Sequence, residues 1–153
     1  DHCRFPPVGH RSMGGGLQQT GFVPMPVGEL ARVVNDETLV VVMIESPQGV
    51  ENCEAIATVP GIDALLIGTN DLCFEMGIPG NFLDPRVIDA YTKVIAACRK
   101  HGKYPGMGGM YTPELLERFI GMGAQLILAG SDFSLLMQAG TARAGLIRGF
   151  EKK

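Results

Sequence analysis

The sequence has no tryptophan, only 7% aromatic residues, and no long apolar run free of Gly, Asp or Pro. The broken runs exclude a membrane-spanning helix, which needs about 20 consecutive apolar residues. No secretory-type apolar leader opens the chain. No basic stripe is present: 13 Lys and Arg stand against 16 Asp and Glu, a formal net charge of −3, which argues against a nucleic-acid partner. The four cysteines, Cys3, Cys53, Cys73 and Cys98, form no C-x-x-C pair, so zinc sites and thioredoxin-type chemistry lose their usual pattern. They are read as small core residues in a reduced, cytoplasmic setting. Hydrophobic residues at 46% and charged residues at 19% argue against disorder and suit one soluble domain of 153 residues. Glycine is abundant, 21 residues beside 10 prolines, which calls for tight turns and close backbone approaches. The first residue is Asp1 and not Met, so the chain reads as a single partial domain, a segment of something longer.

Residues 1–28 are Gly- and Pro-rich and read as loop, with at most a short helical turn. A short helix over 28–37 precedes the β-branched run Thr38–Ile44, which lacks alternation and suits a strand buried on both faces of a parallel sheet. Glu45 ends it, and Ser46-Pro47 starts a helix over 48–58. A second buried strand, Asp63-ALLIG-Thr69, is stopped by Gly68-Thr69-Asn70-Asp71 and is followed by a loop with Gly77, Pro79 and Gly80. Helix 84–99, strand 103–107, helix 114–122, strand 125–130 and helix 133–150 complete the pattern, with Thr112 as a cap before Pro113. Alternating strands and helices over residues 38–132 predict an α/β fold with about four βα units and a parallel sheet. Four units suit half of a (β/α)8 TIM barrel. The rival doubly wound sheet opens on a Gly-rich phosphate turn, and the turn here is Glu45-Ser46-Pro47.

Polar residues gather where strands end. Glu45 closes one strand and Asp71 follows the next by two residues. Neighbouring parallel strands would set these carboxylates side by side at the face where barrel enzymes place their sites. Like charges repel there unless a proton or cation lies between them. Mg2+ is the economical solution, since it takes one or two carboxylates and leaves other positions to water and substrate; Mn2+ or Co2+ also fits. Set against this, an acid before a helix is often only a cap or dipole partner. The clusters Gly14-Gly15-Gly16, Gly106-Met107-Gly108-Gly109 and Gly130-Ser131 could cradle phosphate, but tight turns explain them more simply. His101 suits a helix C-terminus and His10 a solvated loop. Most methionines read as core, with Met43 and Met107 expected to point toward the barrel mouth.

The blocks VVVMIESPQGVENCEAIATVPGIDALLIGTNDL (40–72), RFPPVGHRS (4–12), HGKYPGM (101–107) and GAQLILAGSDFSLL (123–136) resemble the HpcH/HpaI aldolases, metal-dependent pyruvate aldolases to which macrophomate synthase is related. The resemblance covers nearly the whole chain. It implies the C-terminal half of a (β/α)8 barrel and cleavage of 2-keto-4-hydroxy acids to pyruvate and an aldehyde. It places the metal ligands at Glu45 and Asp71, with substrate carboxylate on the backbone N–H groups of Thr69, Asn70 and Asp71. The ion would act as a Lewis acid on the enolate. It further implies a homo-oligomer, a trimer of dimers, with helix 133–150 swapped between subunits.

This chain departs from the family pattern in three ways. Met43 stands where the family commonly has a Gln that contacts the keto acid. The turn reads Gly68-Thr69-Asn70-Asp71-Leu72, where the family commonly has G-P-[SA]-D-L. No residue matches the family's His base or its enolate-stabilising Arg, which lie on earlier strands. General acid–base help is typically worth about 10²–10⁴-fold, so the chain alone is expected to be a poor aldolase. The rival readings are a non-catalytic half-barrel that needs a partner half, an oxaloacetate decarboxylase or macrophomate-synthase-like enzyme, and a phosphate-binding barrel enzyme.

Overall fold

The computed structural model describes residues 1–14 and 17–150; Gly15 and Gly16 of the first glycine cluster lie outside the described residues. After a 3-10 turn at Gln18–Thr20, the elements run α1 (Val27–Glu37), β1 (Val41–Ile44), α2 (Pro47–Glu51), α3 (Cys53–Ala57), β2 (Ala64–Gly68), α4 (Thr69–Glu75), α5 (Pro85–Lys100), β3 (Tyr104–Gly108), α6 (Pro113–Met122), β4 (Leu126–Ile127) and α7 (Asp132–Arg148). The four strands form one sheet in sequence order, with every pair parallel. Sequential order with a helix on each crossover is the arrangement of successive βα units. Among the described residues no helix is long and apolar enough to cross a membrane.

The helices α2, α5 and α7 start at a side-chain cap. Ser46 Oγ accepts from the Gly49 N–H with Pro47 in the first turn, and the Asp84 side chain accepts from the Arg86 N–H with Pro85 following it. Thr112 occupies the cap position of α6, but its side chain makes no capping hydrogen bond. Asn52 divides the expected helix 48–58 into α2 and α3. Its side chain donates at 2.8 Å to the same Gln48 carbonyl that accepts its backbone N–H at 3.1 Å, so side chain and backbone share one acceptor at the junction.

One face of the sheet carries the core. Ile44, Leu65, Ile67 and Met107 point to the helix side and pack with Leu72, Val87, Tyr91, Val94 and Phe119. This corrects the expected orientation of Met107: it is fully buried beneath the helices, since it is in register with Ile67 and shares that residue's face. The opposite, inner face carries Met43, Leu66, Gly106 and Gly108. A Cβ at Gly106 would come within 3.2 Å of the Leu66 side chain, and one at Gly108 within 3.2 Å of Leu128. These glycines therefore give Leu66 and Leu128 room to lie across the inner face.

β1 is not buried on both faces as its composition predicts. Met43 is 53% exposed, because β1 is the first strand of the sheet and no element among the described residues covers its inner face. β4 is likewise shorter than the expected 125–130, being the other edge of the sheet. Cys53, Cys73 and Cys98 fill the core as expected, and burial pushes their thiol pKa values up. Cys3 is exposed, and all four are free thiols. His101 caps α5, and His10 faces Asp1 at 2.6 Å on the surface.

The N-terminal segment is tied down separately. The Phe5 N–H donates to Asn35 Oδ1 at 2.7 Å, the Asn35 amide donates back to the Phe5 carbonyl at 3.1 Å, and Phe5 packs with Leu30 and Val34. The two-sidedness of the sheet predicts unequal costs of truncation. Leu65→Ala should lower stability by about 2–5 kcal/mol, as fully buried leucines do. Met43→Ala should change it by less than about 0.5 kcal/mol. Urea unfolding midpoints of the two variants measure the difference.

Candidate active site

The C-terminal ends of β1, β2 and β3 form one rim, and the polar residues of the expected site stand on it. Glu45 directly follows β1 and is half-buried, while Asp71 is exposed in the first turn of α4. Period-2 alternation carries Glu45 to the same inner face as Met43. The Glu45 side chain lies across the next strand, over Gly68. A Cβ there would sit 2.6 Å from Glu45 Oε1 and 2.7 Å from Glu45 Cγ, closer than real contacts allow. A glycine at the end of β2 is thus what lets the first carboxylate reach toward the second.

The two acids act on one another. Desolvation by the surrounding rim raises the Glu45 pKa, and the Asp71 carboxyl raises it further, as a hydrogen-bonding neighbour and as a like charge. A raised carboxyl pKa means the folded chain favours the protonated form. That contribution to stability is complete below the ordinary glutamate range and is lost as pH rises through the higher folded value. A cation between the carboxylates would reverse the preference.

Helix α4 was not legible in the sequence, which reads as strand, turn and loop through this region. Thr69, Leu72 and Cys73 are its buried positions, an i, i+3, i+4 pattern too short to stand out beside the Gly- and Pro-containing loop that follows. Asp71 in its first turn complements the helix dipole. The N–H groups of Thr69, Asn70 and Asp71 head this turn, where helical geometry leaves donors without intrahelical partners.

The expected site residues are therefore brought to one rim, with different exposures. Glu45, Met43, Asn70 and Asp71 are accessible, and Thr69 is fully buried. Its hydroxyl donates to the Gly108 carbonyl at 2.9 Å and lies 2.8 Å from the Tyr91 hydroxyl. Asn70 Nδ2 donates to the Gly109 carbonyl at 3.2 Å. Tyr91 is the residue that sequence reasoning missed, since at helical spacing it reads only as core. A groove of about 690 Å³ lies away from this rim, between α5 and α6, and includes Ile88, Glu117 and Arg118.

Among the described residues no three His, Cys, Asp or Glu side chains cluster as a self-sufficient metal cage. The pair on the rim fits a hard divalent ion nonetheless. Mg2+ characteristically takes one or two carboxylates and fills its remaining positions with water and substrate oxygens. The open side of Asp71 and the space Gly68 leaves for Glu45 are consistent with that demand.

Comparison with known proteins gives consistent matches. The family model for HpcH/HpaI aldolase/citrate lyase matches residues 1–139. A 4-hydroxy-4-methyl-2-oxoglutarate aldolase of Hapsidospora irregularis is 39% identical over 150 residues, 96% of this chain and 56% of that protein. Another protein of the same name, from Chaetomium globosum, is 41% identical over 140 residues, 90% of this chain and 52% of that protein. Among solved structures, an HpcH/HpaI aldolase from Desulfitobacterium hafniense superposes with a TM-score of 0.78 at 31% identity, covering 98% of this chain and 57% of its own. The chain thus spans about half the length of the curated relatives it matches, and its four parallel βα units correspond to about half of the barrel-type fold of its neighbours.

The rim geometry yields one direct prediction. Gly68→Ala should leave the parallel pairing of β2 intact while expelling Glu45 from its place beside Asp71. The Glu45 pKa should then fall back toward the ordinary glutamate value. Carbon-detected NMR titration of the side-chain carboxyls reads this; an unchanged, still-raised Glu45 pKa would contradict the assigned contact.

Proposed function

Because this chain belongs to the HpcH/HpaI aldolase/citrate lyase family, we propose that it carries the metal- and carboxylate-binding half of an aldolase site. The reaction is cleavage of a 2-keto-4-hydroxy acid to pyruvate and a carbonyl product. The observation that carries the reading is the mutual placement of Glu45 and Asp71, in which Asp71 raises the Glu45 pKa across the tips of β1 and β2.

Glu45 and Asp71 are the proposed ligands, and Mg2+ is the proposed ion, with Mn2+ or Co2+ as substitutes. When bound, a divalent ion supplies Lewis-acid stabilisation of the negative charge left as the C3–C4 bond breaks. The chain's own residues bind and orient. The N–H groups of Thr69, Asn70 and Asp71 present donors to the keto-acid carboxylate at the positive end of α4. Met43 lies beside Glu45 on the inner face and offers apolar contact and no hydrogen bond, so the keto oxygen is not held from this position. No residue here serves as the His base or the Arg of the family pattern, and the proposed activity therefore needs a complementary half that brings them. The uncovered inner face of the sheet at Met43 supports that requirement.

The relatives' names make 4-hydroxy-4-methyl-2-oxoglutarate the first substrate to test. The proposed assembly is a homo-oligomer in which α7 packs on a second subunit. None of the described residues of α7 is buried, and Phe133, Leu136 and Ile147 are exposed on it, which supports a partner for this helix. The four free thiols suit a reducing, cytoplasmic compartment.

The test begins with the ion. Mn2+ binding, counted by the EPR signal of the free ion, should be lost by at least about 100-fold in Glu45→Gln and in Asp71→Asn, since each removes half of the protein's anionic ligands. Binding should also weaken as pH falls through the raised Glu45 pKa, because the ion must displace that proton. Where the complementary half is supplied, both variants should abolish Mn2+-dependent pyruvate release. Wild-type Mn2+ affinity in either variant refutes the ligand assignment.

A further inference from the structure

We infer that Tyr91 is a positioning residue whose hydroxyl, acting through that of Thr69, holds the first turn of α4, and with it Asp71, against the tip of β3. The effect on ion binding rests on the metal reading above; the effect on the turn does not.

Thr69 is fully buried against a core whose other side chains, the Tyr91 phenol apart, are largely apolar. A buried hydroxyl is tolerated when its hydrogen-bonding capacity is met. Proton accounting then assigns the direction of each bond. Thr69 has one hydroxyl proton and gives it to the Gly108 carbonyl at 2.9 Å. The contact of 2.8 Å with Tyr91 must therefore run from the phenol to Thr69 Oγ1. Burial pushes the Tyr91 pKa far above its usual range, which keeps the phenol a donor. The ring is fixed in turn: it is fully buried on α5 and its centroid lies 4.1 Å from that of Phe119.

The consequence lies at the strand tips. Gly68 and Gly108 are the last register partners of β2 and β3. Beyond them the ladder has ended, yet Thr69 and Asn70 continue it with side chains, bonding to the carbonyls of Gly108 and Gly109. Gly109 has φ +85°, and a Cβ there would sit 2.8 Å from Asn70 Nδ2, so glycine is required for this second stitch. Asn70 and Asp71 are both exposed. The Thr69–Tyr91 pair is the stitch shielded from water, and it anchors the turn that sets where Asp71 stands. It also accounts for the departure at Thr69 from the G-P-[SA]-D-L pattern: Tyr91 supplies the partner that a buried hydroxyl needs.

The variants Tyr91→Phe and Thr69→Val each delete one hydroxyl with little change of shape. Both should speed hydrogen exchange at the Cys73 amide, whose helical acceptor is the Thr69 carbonyl, by about tenfold, with Leu65 in β2 unchanged. Both should weaken Mn2+ binding by about tenfold, the lower end of what loss of an outer partner costs a metal site. The double variant should lose no more than Thr69→Val alone, which already removes both bonds, and Thr69→Ser should restore both readouts. Leu30→Ala, in the separate N-terminal cluster, is the control for general destabilisation and should alter neither. Unchanged exchange at Cys73 overturns the inference, as does faster exchange with wild-type Mn2+ affinity, or additive losses in the double variant. A wild-type chain that binds no Mn2+ overturns the metal reading instead, and exchange at Cys73 then decides the positioning alone.

Discussion

Two carboxylates face one another at the ends of adjacent strands, and a missing methyl group makes their meeting possible. Glu45 can lie toward Asp71 because Gly68 presents no Cβ beneath it. Burial and the neighbouring Asp71 carboxyl together raise the Glu45 pKa. A doubly charged ion held as proposed between the two would make the same proximity favourable. The surrounding structure can be understood as scaffolding for that arrangement: a helix-covered face supplies stability, and the inner rim is left to polar groups that would be unfavourable anywhere else in the core.

The scaffolding divides its work between the two faces of one sheet. Leu65, Ile67 and Met107 bury themselves beneath α5 and α6 and hold the strands in place. On the other face Gly106 and Gly108 admit Leu66 and Leu128, level with Met43, and beyond this apolar floor Glu45 lies over Gly68 at the strand tip. The Thr69–Tyr91 pair connects the two faces. It reaches from the helix layer through the core to the turn that carries Asp71, so a residue with no place at the rim influences one that stands on it. Polar groups buried in this way stabilise only when every partner is satisfied, and here each hydroxyl has a defined donor or acceptor role.

Much of the architecture was legible from local chemistry. Ser46-Pro47 and Asp84-Pro85 mark helix starts through capping and fixed φ, and each observed helix begins where they stand. The apolar runs at 38–44 and 64–68 announce parallel strands. The readings that failed did so for tertiary reasons. β1 has the composition of a doubly covered strand but occupies an edge, and β4 is cut short at the other edge. Met107 lies on the helix-covered face and not at the barrel mouth, because strand register, which period-2 alternation depends on, is not local information. α4 was missed because seven residues after a strand carry too little periodicity. Tyr91 read as core, and it is core; only its 2.8 Å contact with Thr69 gives it a second role.

By itself, the sequence determined the βα alternation, the parallel sheet and the positions of the two acids at strand ends, since these follow from composition, caps and spacing along the chain. Tertiary structure decided which face each strand residue meets, that Glu45 passes over Gly68 toward Asp71, and that a phenol on α5 meets a hydroxyl on α4. Those facts depend on register and on contacts between residues far apart in the chain, and no local pattern encodes them.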